Sequence, residues 1–188
     1  LLEQEACRVL DVKEAIAVSS CTSGLMLVLK ALHIKGKVIM PSFTFTATGL
    51  AALWNDLEIV FADIQKETLT LSPEHVNVLV DDKTTAILAV HPFGNPCAVK
   101  ELQEIATDNN LELIFDAAHA LGSELSGKKI GGFGTAEIFS LSPTKLVTGG
   151  EGGLITTNDE KLAQRLRRMR NYGIVTETYD CVEFGLNA

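Results

Sequence analysis

Apolar positions along this chain follow two rhythms that take turns. Short runs rich in β-branched residues, EAIAVS (14–19), KVIM (37–40), EIVFAD (58–63), TAILAVH (85–91) and LELIFDAA (111–118), predict strands. Several are apolar without alternation, as strands covered on both faces are. Between them, SGLMLVLKALHI, TATGLAALWNDL and VKELQEIATDN repeat their apolar residues at three and four, the spacing of one helix face. LLEQEACRVLDV has the same spacing from the first residue. Two further strands, AEIFSLS (136–142) and GLITTN (153–158), come close together before a last basic helix. Repeated strand–helix units predict an α/β fold of three layers, a mostly parallel sheet with helices on both faces. No linker, repeat or low-complexity tract divides residues 1–188, so a single domain is expected.

Composition narrows the functional classes. A hydrophobic share of 46% describes a folded chain rather than a disordered one. The formal charge of −8 argues against nucleic acid as a partner, since phosphate surfaces need concentrated Lys and Arg. The one dense basic stretch, KLAQRLRRMRN (161–171), reads as the solvent face of a helix. Cys7, Cys21, Cys97 and Cys181 have neither CxxC nor metal-ligand spacing, which fits reduced thiols in a cytoplasmic protein. No apolar run approaches the ~20 residues that span a bilayer, so no membrane partner is expected.

In parallel sheets ligands collect at the carboxyl ends of strands, and chemistry gathers there in this sequence. SSCTSG (19–24) ends the first strand and opens a helix, where free N–H groups favour an anion; a plain N-cap by Ser20 or Thr22 is the simpler reading. PSFTFTAT (41–48) brings Phe43 and Phe45 to a strand mouth, either as core or as an aromatic face for a flat ligand. IFDAAHA (114–120) ends in Asp116, a poorly solvated carboxylate that needs a partner: a helix N-terminus, or a cation on a ligand. His119 is either an ordinary helix residue or a neighbour of that ligand. In FSLSPTKLVTGGEGG (139–153), Ser140 and Ser142 point to one side, Lys145 follows Pro143, and glycines then permit close backbone approach. His91, in VHPFGNP, reads as shaping a turn, and Trp54 as core or helix-end cover. An anion cradle, an aromatic plate, a buried carboxylate and a lysine together match pyridoxal 5'-phosphate, which has a phosphate, a flat ring, a basic ring nitrogen and an aldehyde. A dinucleotide-binding dehydrogenase fits poorly, because no GxGxxG follows the first strand.

The ordered set SSCTSG, PSFTFTAT, VHPFGNP, DAAHALG, SLSPTK and GGEGGLITTND resembles the DegT/DnrJ/EryC1/StrS family of pyridoxal-phosphate-dependent sugar aminotransferases, and covers essentially the whole chain. The resemblance implies the large cofactor-binding domain of the aspartate-aminotransferase-like fold. It implies Schiff-base attachment at Lys145, Asp116 at the ring nitrogen and Phe45 stacked on the ring. Thr22, Ser23 and Ser140 would hold the phosphate, with His119 near the ring hydroxyl where the family more often has glutamine. Cys21 replaces a common glycine. Asn187, in FGLN, would reach the phosphate of a neighbouring subunit, which implies a homodimer. Substrates would be an amino acid such as glutamate and a nucleotide-linked keto-deoxysugar. The family's dehydratase branch carries histidine where Lys145 stands, so transamination is favoured. Family members extend beyond both ends of these residues into a C-terminal small domain, so this sequence is expected to be part of a longer protein. A truncated, non-catalytic remnant with a binding or regulatory role is the alternative.

Overall fold

A computed structural model describes residues 1–188. Its strands are β1 (Glu14–Val18), β2 (Lys37–Pro41), β3 (Glu58–Ala62), β4 (Thr84–Val90), β5 (Glu112–Asp116), β6 (Glu124–Leu125), β7 (Lys128–Lys129), β8 (Ala136–Ser140) and β9 (Gly153–Thr157). The helices are α1 (Leu2–Leu10), α2 (Cys21–Ala31), α3 (Thr46–Leu53), α4 (Pro73–Leu79), α5 (Val99–Asp108) and α6 (Glu160–Met169). Seven strands form one sheet in the order β1-β9-β8-β5-β4-β2-β3. The pairs from β8 through β5, β4 and β2 to β3 are parallel, and β9 lies antiparallel to both β8 and β1.

This reproduces the strand–helix alternation read from the sequence, with helices covering both faces. On one face Leu25, Val28 and Leu29 of α2 pack with Leu162 and Leu166 of α6 over Ile16, Ile114 and Ile138. On the other, Val76 of α4 and Val99 and Leu102 of α5 pack over Ile39, Ile87 and Phe115. α1 covers the same face near Phe139 and Leu154. Alternation along β5 assigns Phe115 to the second face and turns Asp116 to the first, toward α2.

Three features differ from the expectation. α4 and the small β6–β7 hairpin were not foreseen. α4 is short and begins at a Ser72 cap with proline at its first position, and its sequence PEHVNVL carries only two buried side chains, Pro73 and Val76. The basic face of α6 is also not merely solvated. Arg167 bonds Glu14 at 2.8 Å, Arg170 pairs with Glu3, and Arg165 and Arg168 hold Glu183 at 2.7 and 3.1 Å. These arginines fasten α1, β1 and the segment that follows α6 onto the body.

β9's reversal matters for the site. β8 ends and β9 begins at the same edge of the sheet, where β1 also ends, and residues 141–152 arch between them. Gly153 sits so close to the start of α2 that a Cβ there would lie 2.7 Å from the Cys21 nitrogen. Ser20 bridges Gly152 directly.

Candidate active site

The first turn of α2 is organised by a reciprocal cap. Ser20 Oγ accepts from the Ser23 N–H at 3.0 Å, and Ser23 Oγ accepts from the Ser20 N–H at 3.1 Å. Ser20 is thus the cap the simpler reading expected, and it fixes the helix entry at which half-buried Thr22 and Ser23 stand. Neither Phe43 nor Phe45 is core: Phe45 is 76% exposed at the N-cap of α3 and Phe43 is 42% exposed.

Asp116 ends β5, and no helix follows it to be capped. Its carboxylate is 5% exposed and ringed by donors from three places in the chain. Thr48 Oγ1 of α3 donates to Oδ2 at 2.6 Å, the Ala118 N–H donates to Oδ1 at 3.1 Å, and the Cys21 thiol points at Oδ1 from 3.9 Å. Burial, then the Asp116 charge, pushes the Cys21 thiol well above its ordinary value, while Lys145 pulls the other way.

β8 stops at Ser140, so Ser142 lies in the following turn rather than beside Ser140 on the strand; its N–H donates to Ser140 Oγ at 3.3 Å. Lys145 comes three residues later, half-buried, and none of the chain's ion pairs uses it. It lines a cleft of about 200 Å³ together with Ser140, His119, Ala118 and Phe93. His119 lies in a turn, not a helix, and its Nδ1 accepts from the Phe93 N–H at 3.3 Å. Partial burial and then the Lys145 charge hold the His119 imidazole below its ordinary value, with Asp116 opposing. Cys21 thus lies against Asp116, and His119 shares the cleft with Lys145.

Phe93 was not foreseen as part of the site. It has φ 54°, its ring stacks on His119 with centroids 6.0 Å apart, and Phe43 meets it edge-on at 6.2 Å. A bulky residue at positive φ is uncommon and marks a turn shaped for something. The next residue explains part of it, since a Cβ on Gly94 would fall 3.0 Å from the His119 carbonyl oxygen. The VHPFGNP turn was the available signal, although it was read as backbone shaping alone.

Asn187 lies at the opposite end of the chain, exposed and bridged to Asn171 beyond α6. No hydrogen bond joins it to the cleft residues above.

The sequence matches the DegT/DnrJ/EryC1/StrS aminotransferase family over residues 1–188. The chain belongs to that family. The family includes pyridoxal-phosphate-dependent aminotransferases, and the fold is the family's α/β domain. An uncharacterized protein of Methanocaldococcus jannaschii, MJ1066, is 44% identical over 169 residues, covering 89% of this chain and 44% of that protein. GDP-perosamine synthase of Vibrio cholerae is 37% identical over 175 residues, covering 92% and 48%. Among solved structures, DesI in the presence of its TDP-sugar product superposes with TM-score 0.92 at 40% identity, covering 98% of this chain and 47% of DesI. The chain spans somewhat under half the length of the curated relatives it matches.

The donor set fits the family's cofactor. A buried acceptor-only carboxylate suits a ring cation, hydroxyls at a helix start suit a phosphate, and an amine outside any ion pair suits an aldehyde. One pH consequence follows from His119. The folded state holds its imidazole below the ordinary value of about 6.5, so the unfolded chain takes up that proton first as pH falls. Its contribution to stability is full above that value and declines below it. Unfolding midpoints measured at about pH 7.5 and 5.5 should fall toward acid, by less in His119→Gln.

Proposed function

We propose that the intact protein is a pyridoxal-phosphate-dependent aminotransferase that makes an amino sugar, moving nitrogen from an amino acid such as glutamate to the keto carbon of a nucleotide-linked deoxysugar. One observation carries this reading: in a family member, Lys145, outside any ion pair, lines a cleft with Ser140, His119 and Ala118, and the Ala118 N–H holds the buried, donor-ringed Asp116 carboxylate just behind that lining. The nucleotide-sugar part is supported by the Vibrio relative being a GDP-perosamine synthase and by the TDP-sugar product in the DesI structure.

When bound, the cofactor supplies a carbonyl for covalent attachment and a ring that accepts an electron pair. The chain's residues supply the rest. The start of α2, with Thr22 and Ser23, and Ser140 Oγ bind the phosphate. Phe45 offers its ring face. Asp116 holds the ring nitrogen's proton by charge and hydrogen bond, because stranding either buried charge alone is costly. Lys145 Nζ would be the group that holds the cofactor's carbonyl, and as a free amine at the same cleft it would carry the proton from and to the substrate carbon. His119 would stand beside the ring, and Asn187 would reach the phosphate of a second subunit in a homodimer.

Adding pyridoxal phosphate to the intact protein should produce a new visible absorbance band. Glutamate should then shift it without any sugar present, as half of a two-stage exchange. A spectrum unmoved by both additions would overturn this function.

A further inference from the structure

We infer that Thr48, backed by Thr44, is a positioning residue that fixes the Asp116 carboxylate and couples it to the ring plate at Phe45. The inference rests on the cofactor reading above and goes beyond it. Thr48 is fully buried in the first turn of α3, and its hydroxyl donates to Asp116 Oδ2 at 2.6 Å. A threonine inside a helix ordinarily turns its hydroxyl back to the carbonyl four residues earlier. Here the residue four earlier is Thr44, whose own hydroxyl meets Thr48 Oγ1 at 2.7 Å.

The direction of this relay follows from valence. A hydroxyl has one hydrogen and an ionised carboxylate has none. Thr48's hydrogen is committed to Asp116, so Thr44 donates to Thr48. The two bonds run one way into the carboxylate, and each polarises the next. On the other side, the Ala118 N–H holds Oδ1 at 3.1 Å. The carboxylate's rotation is thus fixed from α3 and from the turn after β5, leaving its aim set before any ligand arrives.

The same turn carries Phe45, the N-cap of α3, between the two threonines. Thr44, Phe45 and Thr48 therefore place the aromatic face and the carboxylate as one rigid unit. If Thr48 were only core filling, valine of nearly equal shape would serve as well.

The test is equilibrium titration of the intact protein with pyridoxal phosphate. Thr48→Val is expected to weaken binding by about tenfold, the change one charge-assisted hydrogen bond gives. Thr48→Ser, which keeps the hydroxyl, should stay within about threefold of the parent, and Thr44→Val should weaken binding by about threefold. In an Asp116→Ala background the Thr48→Val loss should vanish, because the acceptor is gone. Unchanged affinity in Thr48→Val, or an equal loss with and without Asp116, would overturn the positioning role and leave the aminotransferase reading intact. A parent protein that takes up no pyridoxal phosphate would overturn both. Should Thr48→Val not fold, Thr44→Val decides, and no change there overturns the relay.

Discussion

Replacing Lys145 by alanine is expected to lower transamination by about 10²–10⁴-fold, the range one positioned proton carrier supplies, and to remove the attachment that borohydride would trap. The structure gives the physical ground. Lys145 lines the cleft without a carboxylate partner, so its amine is not committed to a structural ion pair. It stands on an arch outside the sheet, and its loss opens no cavity in the core. Thermal unfolding of Lys145→Ala should therefore match the parent while turnover collapses. Lysine restored as an external amine, such as methylamine in the assay, should recover part of the rate, because the missing group is a proton carrier and not a scaffold. A variant that still gave a borohydride-stable adduct would remove Lys145 from the chemistry.

The largest effect on stability is expected at Glu137, which does not line the cleft. This residue of β8 is completely buried, and its Oε1 accepts from the Gly131 N–H at 2.9 Å and the Phe133 N–H at 2.6 Å. Its Oε2 faces His91 Nε2 at 3.6 Å, also fully buried, and neither atom has a closer partner. His91 Nδ1 accepts from the Cys97 N–H at 3.0 Å, so the neutral ring carries its hydrogen on Nε2, toward the glutamate. The imidazole stacks on Phe115, ring centroids 4.7 Å apart, and the His91 N–H donates to the Asp116 carbonyl at 3.0 Å. Glu137→Ala would strand two backbone donors and remove the carboxylate that faces the buried His91 ring. A loss of about 3–5 kcal/mol is expected, a large part of the about 5–15 kcal/mol that holds a domain folded. Glu137→Gln keeps an acceptor for the two N–H groups and should lose about half as much. Denaturant midpoints measure both; a Glu137→Ala variant as stable as the parent would show that water replaces the carboxylate.

Much of this was legible in the sequence, for reasons visible in particular residues. Each strand of the main sheet was found to within about two residues, because most are β-branched runs buried on both faces that leave an unbroken apolar signature, whereas the edge strand β3 is partly exposed. Asp116 and Lys145 stood out only in combination, because singly a carboxylate after LIF reads as well as a helix cap and a lysine before glycines reads as solvated. What stayed hidden depends on tertiary partners. Glu137 lies in AEIFSLS as an unremarkable alternating acid, and nothing local shows that His91, 46 positions earlier, will meet it. Thr48 looked like one of many hydroxyls in a helix start until Asp116 arrived from another strand. The arginines of α6 read as solvent-facing because their partners Glu3, Glu14 and Glu183 are distant in sequence. Phe93 was masked by the turn residues around it, which explain a bend but not a ring stacked on an imidazole. Trp54, expected as core or a helix-end cover, stands at the end of α3 and remains 72% exposed.

The reversed course of β9 has an effect on how this scaffold can change. Ser140 faces Gly153 across the ladder and the Leu141 N–H reaches the Gly152 carbonyl at 2.9 Å, so both feet of the arch are clamped to the same rung. Residues inserted or exchanged along its crown, where Leu146 is almost wholly exposed, leave those feet unmoved. New crowns can thus be tried over an unchanged foundation, and the amine's travel becomes an adjustable length instead of a fixed address.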